Sequence, residues 1–270
     1  MRRLTLPPAG APAGPLRPYR DSAAPAALAP AGGSITLVPA MWAIDPQYML
    51  YMVPGLLLSL LASWYVNSTF RRYAQVPLQA GRGVTGAQAA AVVLAQAGVR
   101  DVRIEPIEGA LSDHYDPAHK VLRLSPDVYA GRSVSAAGVA AHEAGHAIQH
   151  AQGYGLMRVR QALVLPARIG SQLSYVVIIA GLALHMLGLA WFGVFLFAGI
   201  FLFELVTLPV ELDASRRARE RLEAAGLVSR ADYVGVKRVL DAAAFTYVAA
   251  LVTTALQMLY FVTRIRGEER

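Results

Sequence analysis

Three long stretches of the sequence are apolar and almost free of charge. The first, Met49 to Val66, has no charged residue in 18 positions. At about 1.5 Å per residue, a helix of that length nearly spans the hydrocarbon core of a bilayer. The second, residues 173–210, is too long for one span and predicts a hairpin of two helices that turns near 188–193. The third covers 242–262. We therefore predict a mainly α-helical membrane protein with four transmembrane helices and a lipid bilayer as its surroundings.

The composition supports this prediction and limits the chemistry. Hydrophobic residues make up 55% of the chain and charged residues only 16%, whereas soluble domains carry about a quarter charged residues. The chain has no cysteine, which excludes disulfides, thiolate zinc sites and a cysteine nucleophile. The net charge of +7 comes from scattered arginines without a recognition motif, so we expect no nucleic-acid partner.

Changes in composition divide the chain into segments. Residues 1–40 are rich in Ala, Pro and Gly and are predicted to be a disordered extension; the different sequence from Met41 onwards raises the alternative that the functional chain begins there. The remaining predicted segments are a first transmembrane helix (41–66), a catalytic domain (67–167), the transmembrane hairpin (168–210), a basic helix (211–241), a fourth transmembrane helix (242–264) and a polar tail (265–270).

The polar segment 67–167 has the pattern of a small α+β domain. Thr85 is a good N-cap for an Ala-rich helix over 86–97. Alternating residues predict strands at 102–109 and 120–125, with a turn-rich loop at 112–117. A second helix is predicted over 136–152, capped by Ser133 or Ser135.

This second helix carries the motif AAHEAGHAIQH. His142 and His146 are four residues apart, so their rings project from one face and can bind one Zn²⁺. Glu143 is displaced by one position and can act as a general base on a water molecule. A pair of surface histidines is the alternative. The small residues around the motif favour a buried metal site, because they let other backbone pack closely; they are Ala140, Ala141, Ala144, Gly145 and Ala147.

Catalytic zinc usually takes three protein ligands and leaves one position open. The metzincin pattern is excluded, because Ile148 and Gln152 occupy the places of its Gly and third His. On spacing alone the third ligand is open among Glu211, Glu204 and Asp213. His150 continues the same helix face but lies two turns from His142, so we predict a supporting or structural role for it.

The loop SDHYDP at 112–117 precedes the strand that would border the cleft. His114 could bind substrate or stabilise an oxyanion, and Asp113 and Asp116 could assist it. The alternative is a turn in which both Asp side chains cap local N–H groups.

Ordered matches along residues 41–264 resemble the zinc-dependent neutral metallopeptidase family 2, membrane proteases of the YugP type whose function is inferred from their zinc motif. The matching segments are DP-Y at 45–48, VTGAQAA at 84–90, SDHYDP at 112–117, LRLSPDVYAGRSV at 122–134, AAHEAGHAIQH at 140–150, LVTLPVELDASRRARE at 205–220 and VLDAAAFTYVAA at 239–250. The resemblance implies a zincin-like domain, Zn²⁺ as cofactor and a peptide substrate. It also implies Glu211 as the third ligand, so that His142, His146 and Glu211 would form a gluzincin-like ligand set.

Two other functions remain as alternatives. A membrane-embedded, site-two-type protease also uses H-E-x-x-H, but within a membrane helix and with an Asp from a later one. A metal-stabilised membrane adaptor or scaffold would present partners without cleaving them. Oligomeric state is left open by the sequence.

Arginine distribution predicts the orientation. If Glu211 meets the two histidines, residues 67–167 and 211–241 lie on one side of the membrane. Arginines 71, 72, 82, 158, 160 and 168 lie there near membrane ends, and the same side carries arginines 216, 217, 219 and 221. The opposite side has Arg264, Arg266 and the sparse arginines of 1–40. The positive-inside rule therefore predicts a cytoplasmic active site, in a bacterial inner membrane.

Overall fold

The computed structural model describes residues 45–269; the predicted extension 1–40 and the alternative start near Met41 lie outside them. The elements in chain order are α1 (Pro46–Ala74), α2 (Gly86–Gln96), β1 (Arg103–Pro106), β2 (His114–Asp116), β3 (Val121–Leu124), α3 (Pro126–Tyr129), α4 (Val134–Ala151), α5 (Gly155–Ala183), α6 (Leu187–Ala224) and α7 (Arg230–Glu268).

Four helices, α1, α5, α6 and α7, are long and apolar enough to cross a membrane. Asp45 starts α1 by accepting a hydrogen bond from the Gln47 amide. The large apolar side chains on the outer faces of these helices remain exposed, among them Leu50, Leu57, Trp64, Leu165, Val176 and Phe195. Soluble monomers rarely expose such a continuous apolar surface, so the prediction of four candidate spans and a lipid environment agrees with the fold.

The hairpin turns earlier than predicted. α5 ends at Ala183 and α6 starts at Leu187, so the turn occupies 184–186 rather than 188–193. His185 adopts a left-handed φ of 54°, and the Met186 amide donates to the Gly181 carbonyl. This hydrogen bond closes the turn after α5, so that α6 starts at Leu187 and includes Gly188.

The predicted separate basic helix over 211–241 is wrong. α6 continues without a break from its apolar part to Ala224, and α7 begins at Arg230. The turn between them contains Gly226 at a φ of 66°, and Ser229 caps α7 by accepting from the Asp232 amide. The predicted polar tail is likewise mostly helical, since α7 runs to Glu268.

A small sheet has the strand order β1-β3-β2. β1 pairs with β3 in parallel and β2 pairs with β3 in antiparallel fashion. The two predicted strands are present but shorter than predicted. β2 lies inside the loop 112–117, where three residues are too few to show an alternating pattern.

Two of the candidate spans, α6 and α7, extend into the core of the polar domain. Ala218 and Leu222 near the end of α6, and Val236 and Leu240 near the start of α7, share one buried apolar cluster with α2, β3 and α4. The domain is therefore built around the ends of α6 and α7, which fixes α4 against α6.

α4 starts directly after the loop 131–133, with Ser133 accepting a hydrogen bond from the Ala136 amide. The helix is not one of the four candidate spans. It approaches α6 very closely, because a Cβ added at Gly145 would lie only 2.6 Å from the Ala214 carbonyl oxygen. Glycine at this position lets the face of α4 that carries the histidines pack onto α6.

Candidate metal centre

Three side chains from α4 and α6 converge at this helix contact. Their potential ligand atoms, from His142, His146 and Glu211, all lie within 4.8 Å of one another. Glu211 Oε2 is 3.1 Å from His142 Nε2 and 3.3 Å from His146 Nε2. The carboxylate of Glu211 is almost fully buried, and such a charge requires a compensating cation or proton.

These spacings fit a zinc ion. Zinc binds imidazole nitrogen and carboxylate oxygen at about 2.0–2.1 Å, and a tetrahedral arrangement then separates ligand atoms by about 3.3–3.4 Å. The separations of Glu211 Oε2 from the two histidine nitrogens, 3.1 Å and 3.3 Å, lie close to this value, and all three ligand atoms lie within 4.8 Å of one another. Two imidazoles and one carboxylate also form a donor set that suits zinc.

The far side of each imidazole is held by a hydrogen bond. His146 Nδ1 lies 3.0 Å from Gln149 Oε1. The amide nitrogen of Gln149 donates to Val210 O at 2.8 Å and to Asp213 Oδ2 at 2.9 Å, which fixes the amide orientation. Because the Gln149 oxygen can only accept, His146 Nδ1 carries the proton and Nε2 presents its lone pair to the cluster.

His142 is held in the same way by α6. Its Nδ1 atom lies 3.0 Å from the hydroxyl oxygen of Ser215. Such outer contacts set the ring orientation and the tautomer of metal-binding histidines. The same α6 segment therefore supplies a candidate ligand, Glu211, and the support of His142.

Asp213 is not part of the cluster. It accepts hydrogen bonds from Gln149 and from the guanidinium groups of Arg216 and Arg217. It lies behind the cluster as an anchor for Gln149, a supporting position that the sequence also allowed for it.

Glu204 does not reach the cluster either. It lies seven positions before Glu211, about 10 Å deeper along the helix, and interacts with the Thr254 hydroxyl. Its Oε2 atom is buried and has no hydrogen-bond partner within residues 45–269. Of the three open candidates, only Glu211 is brought to both histidines.

Glu143 lies beside the cluster and faces the edge strand β2. Its carboxylate accepts a hydrogen bond from the Tyr115 backbone amide. Burial raises the pKa of Glu143 to about 8, helped by the neighbouring carboxylates of Glu211 and Asp113 and opposed by His142. A bound divalent cation would act against this shift, because nearby positive charge favours the carboxylate form.

The remaining predicted residues hold the loop around β2. His150 Nδ1 lies 2.9 Å from the Tyr115 hydroxyl, so His150 ties α4 to β2. Asp113 accepts from the amide and hydroxyl of Ser125. His114 Nδ1 faces the Ser112 carbonyl oxygen at 2.8 Å.

Asp116 caps its own turn by accepting from the amides of Ala118 and His119, and it pairs with Arg123 at 2.8 Å. Burial raises its pKa, but the hydrogen bonds from Arg123 and His119 outweigh this effect and lower the pKa to about 2. Asp116 therefore caps local N–H groups as the turn alternative describes, whereas Asp113 bonds to Ser125, which lies twelve positions further along the chain.

Sequence reasoning missed two residues that face Glu211 from the apolar helices. Arg160 of α5 places a guanidinium nitrogen 3.6 Å from Glu211 Oε1. Tyr247 of α7 lies in hydrogen-bonding range of Glu211 and close enough to Arg160 and Glu143 to interact with them electrostatically. Arg160 belongs to none of the matching segments, and Tyr247 lies in the segment 239–250 without any local pattern that singles out its hydroxyl, so sequence reasoning assigned neither residue to the site.

The fold combines four candidate membrane spans with a His/His/Glu cluster that could hold a metal ion, a combination that fits the class of membrane metallopeptidases. In agreement, residues 48–266 match the family described as "Putative neutral zinc metallopeptidase", and the chain belongs to this family. It is also 40% identical over 215 residues to "Putative membrane protease YugP" of Bacillus subtilis (strain 168), covering 80% of this chain and 95% of that protein. No solved structure gives a significant match.

Membership confirms the family resemblance. It implies zinc as the metal and a protein or peptide as the substrate, and the name of the relative describes a membrane protein.

Proposed function

We propose that this chain is a membrane-anchored zinc endopeptidase of zincin-like architecture, in which His142, His146 and Glu211 hold the metal and Glu143 is the general base. The observation that carries the proposal is the convergence of three ligand atoms within 4.8 Å of one another, with Glu211 Oε2 3.1 Å and 3.3 Å from the two histidine nitrogens. They lie directly beside a carboxyl group that is not one of them. The match to a zinc metallopeptidase family supports it.

Each residue has a defined part in peptide hydrolysis. Zinc, when bound, would polarise the peptide carbonyl and acidify a water molecule. Glu143 accepts a proton as the water oxygen bonds to the carbonyl carbon, and the carbonyl electron pair moves onto its oxygen. When the C–N bond breaks, Glu143 delivers the proton to the leaving amine.

The edge strand keeps Glu143 in place for this work. The amide of Tyr115 donates to its carboxylate, while the Tyr115 hydroxyl is bound to His150. These two contacts attach β2 to α4 at Glu143 within the motif and at His150 after it, and they leave Glu143 partly exposed. Glu143 can therefore meet a substrate without rearranging its helix.

The position of the cluster supports a substrate at the membrane surface. Glu211 follows the apolar part of α6, and Arg160 precedes the apolar part of α5. The cluster thus lies where the apolar helices enter the polar domain. We propose that this side is cytoplasmic, because the arginines near membrane ends concentrate here. Since α4 is not a candidate span, the arrangement does not favour the membrane-embedded alternative.

The direct test uses the full chain purified in lipid nanodiscs, with zinc measured per chain and cleavage of β-casein followed over time. We expect about one zinc per chain and cleavage that is lost in Glu143→Gln while zinc and thermal stability are kept. Equal cleavage by Glu143→Gln would exclude the proposed base. Bound zinc without any cleavage by the unmodified protein would favour the adaptor or scaffold alternative.

A further inference from the structure

Arg160 carries a hydrogen-bond donor that no group within residues 45–269 accepts. Its closest approach to Glu211 is 3.6 Å, longer than the usual 2.9–3.0 Å of an N–H···O hydrogen bond. Its Nε atom is buried and has no partner in the part of the chain that the structure describes. A buried donor without an acceptor is costly, and such groups in native proteins commonly serve a ligand, water or catalysis.

Tyr247 reaches the same place from α7. Successive contacts between antiparallel α6 and α7 step by seven residues: the rings of Phe197 and Phe261 lie 5.6 Å apart, Glu204 meets Thr254, and Glu211 meets Tyr247. The register of the helix pair therefore directs the Tyr247 hydroxyl at the cluster. It lies among Glu211, Arg160 and Glu143.

The two sides of the Glu211 carboxylate face different groups. Oε2 faces the two histidines at 3.1 Å and 3.3 Å, whereas Oε1 faces Arg160. Donors from α5 and α7 thus lie next to the position that the metal ligands define, while Glu143 belongs to α4. A peptide carbonyl bound at the cluster would therefore have the proposed base, Glu143, on α4. The two donors, Arg160 and Tyr247, would approach it from α5 and α7.

We propose that Arg160 and Tyr247 bind the carbonyl oxygen of the scissile peptide and stabilise the negative charge that develops on it. This inference rests on the proposed peptidase function. As the water oxygen bonds to the carbonyl carbon and Glu143 takes its proton, the carbonyl π electrons become an oxyanion. The Arg160 Nε–H and the Tyr247 hydroxyl donate to that oxygen, and the charge returns to a C=O bond when the C–N bond breaks.

The alternative is that Arg160 only positions Glu211, and the two roles predict different measurements. A positioning role lowers zinc affinity when Arg160 is changed. An oxyanion role leaves zinc binding intact and lowers kcat more than it raises KM, because the interaction strengthens in the transition state. It also weakens binding of a peptidyl phosphonate, whose tetrahedral anion resembles the transition state.

The experiment compares Tyr247→Phe, which removes one hydroxyl, and Arg160→Lys, which keeps the charge but loses the Nε donor. Arg158→Lys, an exposed arginine on the same helix, is the matched control. Each zinc-loaded protein is measured for zinc content, for kcat and KM on labelled β-casein, and for phosphonate affinity by calorimetry.

We expect unchanged zinc content, a loss of kcat of about 10²–10³-fold for each test variant, and phosphonate affinity that falls in parallel. Unchanged kcat and phosphonate affinity in both variants would overturn the inference, and so would losses that follow zinc content alone. Glu143→Gln is run alongside. If the unmodified, zinc-loaded protein neither cleaves casein nor binds the phosphonate, the proposed peptidase function itself is wrong. If the unmodified protein cleaves casein and both variants do so equally well, only the role of Arg160 and Tyr247 is wrong.

Discussion

Glu211 Oε2 lies 3.1 Å from His142 Nε2, although 69 positions separate the two residues along the chain. The contact joins α4, the core helix of the polar domain, to α6, which begins as a candidate membrane span. A metal centre built on this contact would couple the folding of the domain to the packing of the membrane helices. It would also place any reaction at the boundary between the two.

Glu211 should be required for zinc, and Glu204 should not. We expect Glu211→Gln to lose zinc affinity by more than about 100-fold, since loss of an outer contact alone costs 10–100-fold. Glu204→Gln is the control, because this carboxyl lies two helical turns deeper and meets Thr254 instead. Competition with a fluorescent zinc chelator measures both. Normal affinity in Glu211→Gln would remove it from the ligand set.

Gln149 should set zinc affinity without touching the metal. Replacing it by Leu removes the acceptor for His146 Nδ1 and the donor to Asp213. We expect zinc affinity about 10–100-fold weaker, with the helix content kept. The exposed Gln172 on α5, changed to Leu, is the control. The proposed tautomer of His146 would be wrong if Gln149→Leu bound zinc as the unmodified protein does.

Gly145 should be needed for the approach of α4 to α6. A Cβ there would meet the Ala214 carbonyl oxygen at 2.6 Å, so Gly145→Ala must move α6 and with it Glu211. We expect about 10-fold or greater loss of zinc affinity, although alanine is intrinsically the better helix former. Gly199→Ala, where the added Cβ meets nothing within 4 Å, should bind zinc normally. Equal behaviour of the two variants would show that the close approach is not needed.

The predicted orientation can be tested on a chain that has no cysteine of its own. Glu108→Cys places a thiol on the exposed surface of the polar domain, and Met186→Cys places one in the α5–α6 turn. In intact cells, a membrane-impermeant maleimide should label Met186→Cys and leave Glu108→Cys unlabelled until the cells are opened. The reverse pattern would put the site on the outer side, against the positive-inside rule.

Local periodicity made part of the protein predictable. His142 and His146 share a face because helical geometry alone fixes residues four apart, and the apolar stretches predicted four candidate spans from length. The small residues of α4 also predicted close packing, which occurs at Gly145. The residues at which helices end were less predictable. The apolar stretch of α6 stops near residue 210, but the helix continues because its polar part is buried in the domain core.

The sequence determined that two histidines and a glutamate lie on one helix and that several apolar helices accompany it. It could not choose between Glu204 and Glu211, because seven residues make nearly two turns and leave both on the same face of α6. Only the depth at which α4 packs on α6 decided this, placing Glu211 and Ser215 at the histidines and Asp213 behind them. Arg160 and Tyr247 depended entirely on tertiary structure, because the packing of α5 and α7 against α6 brings them to Glu211, and no local pattern encodes contacts between distant helices.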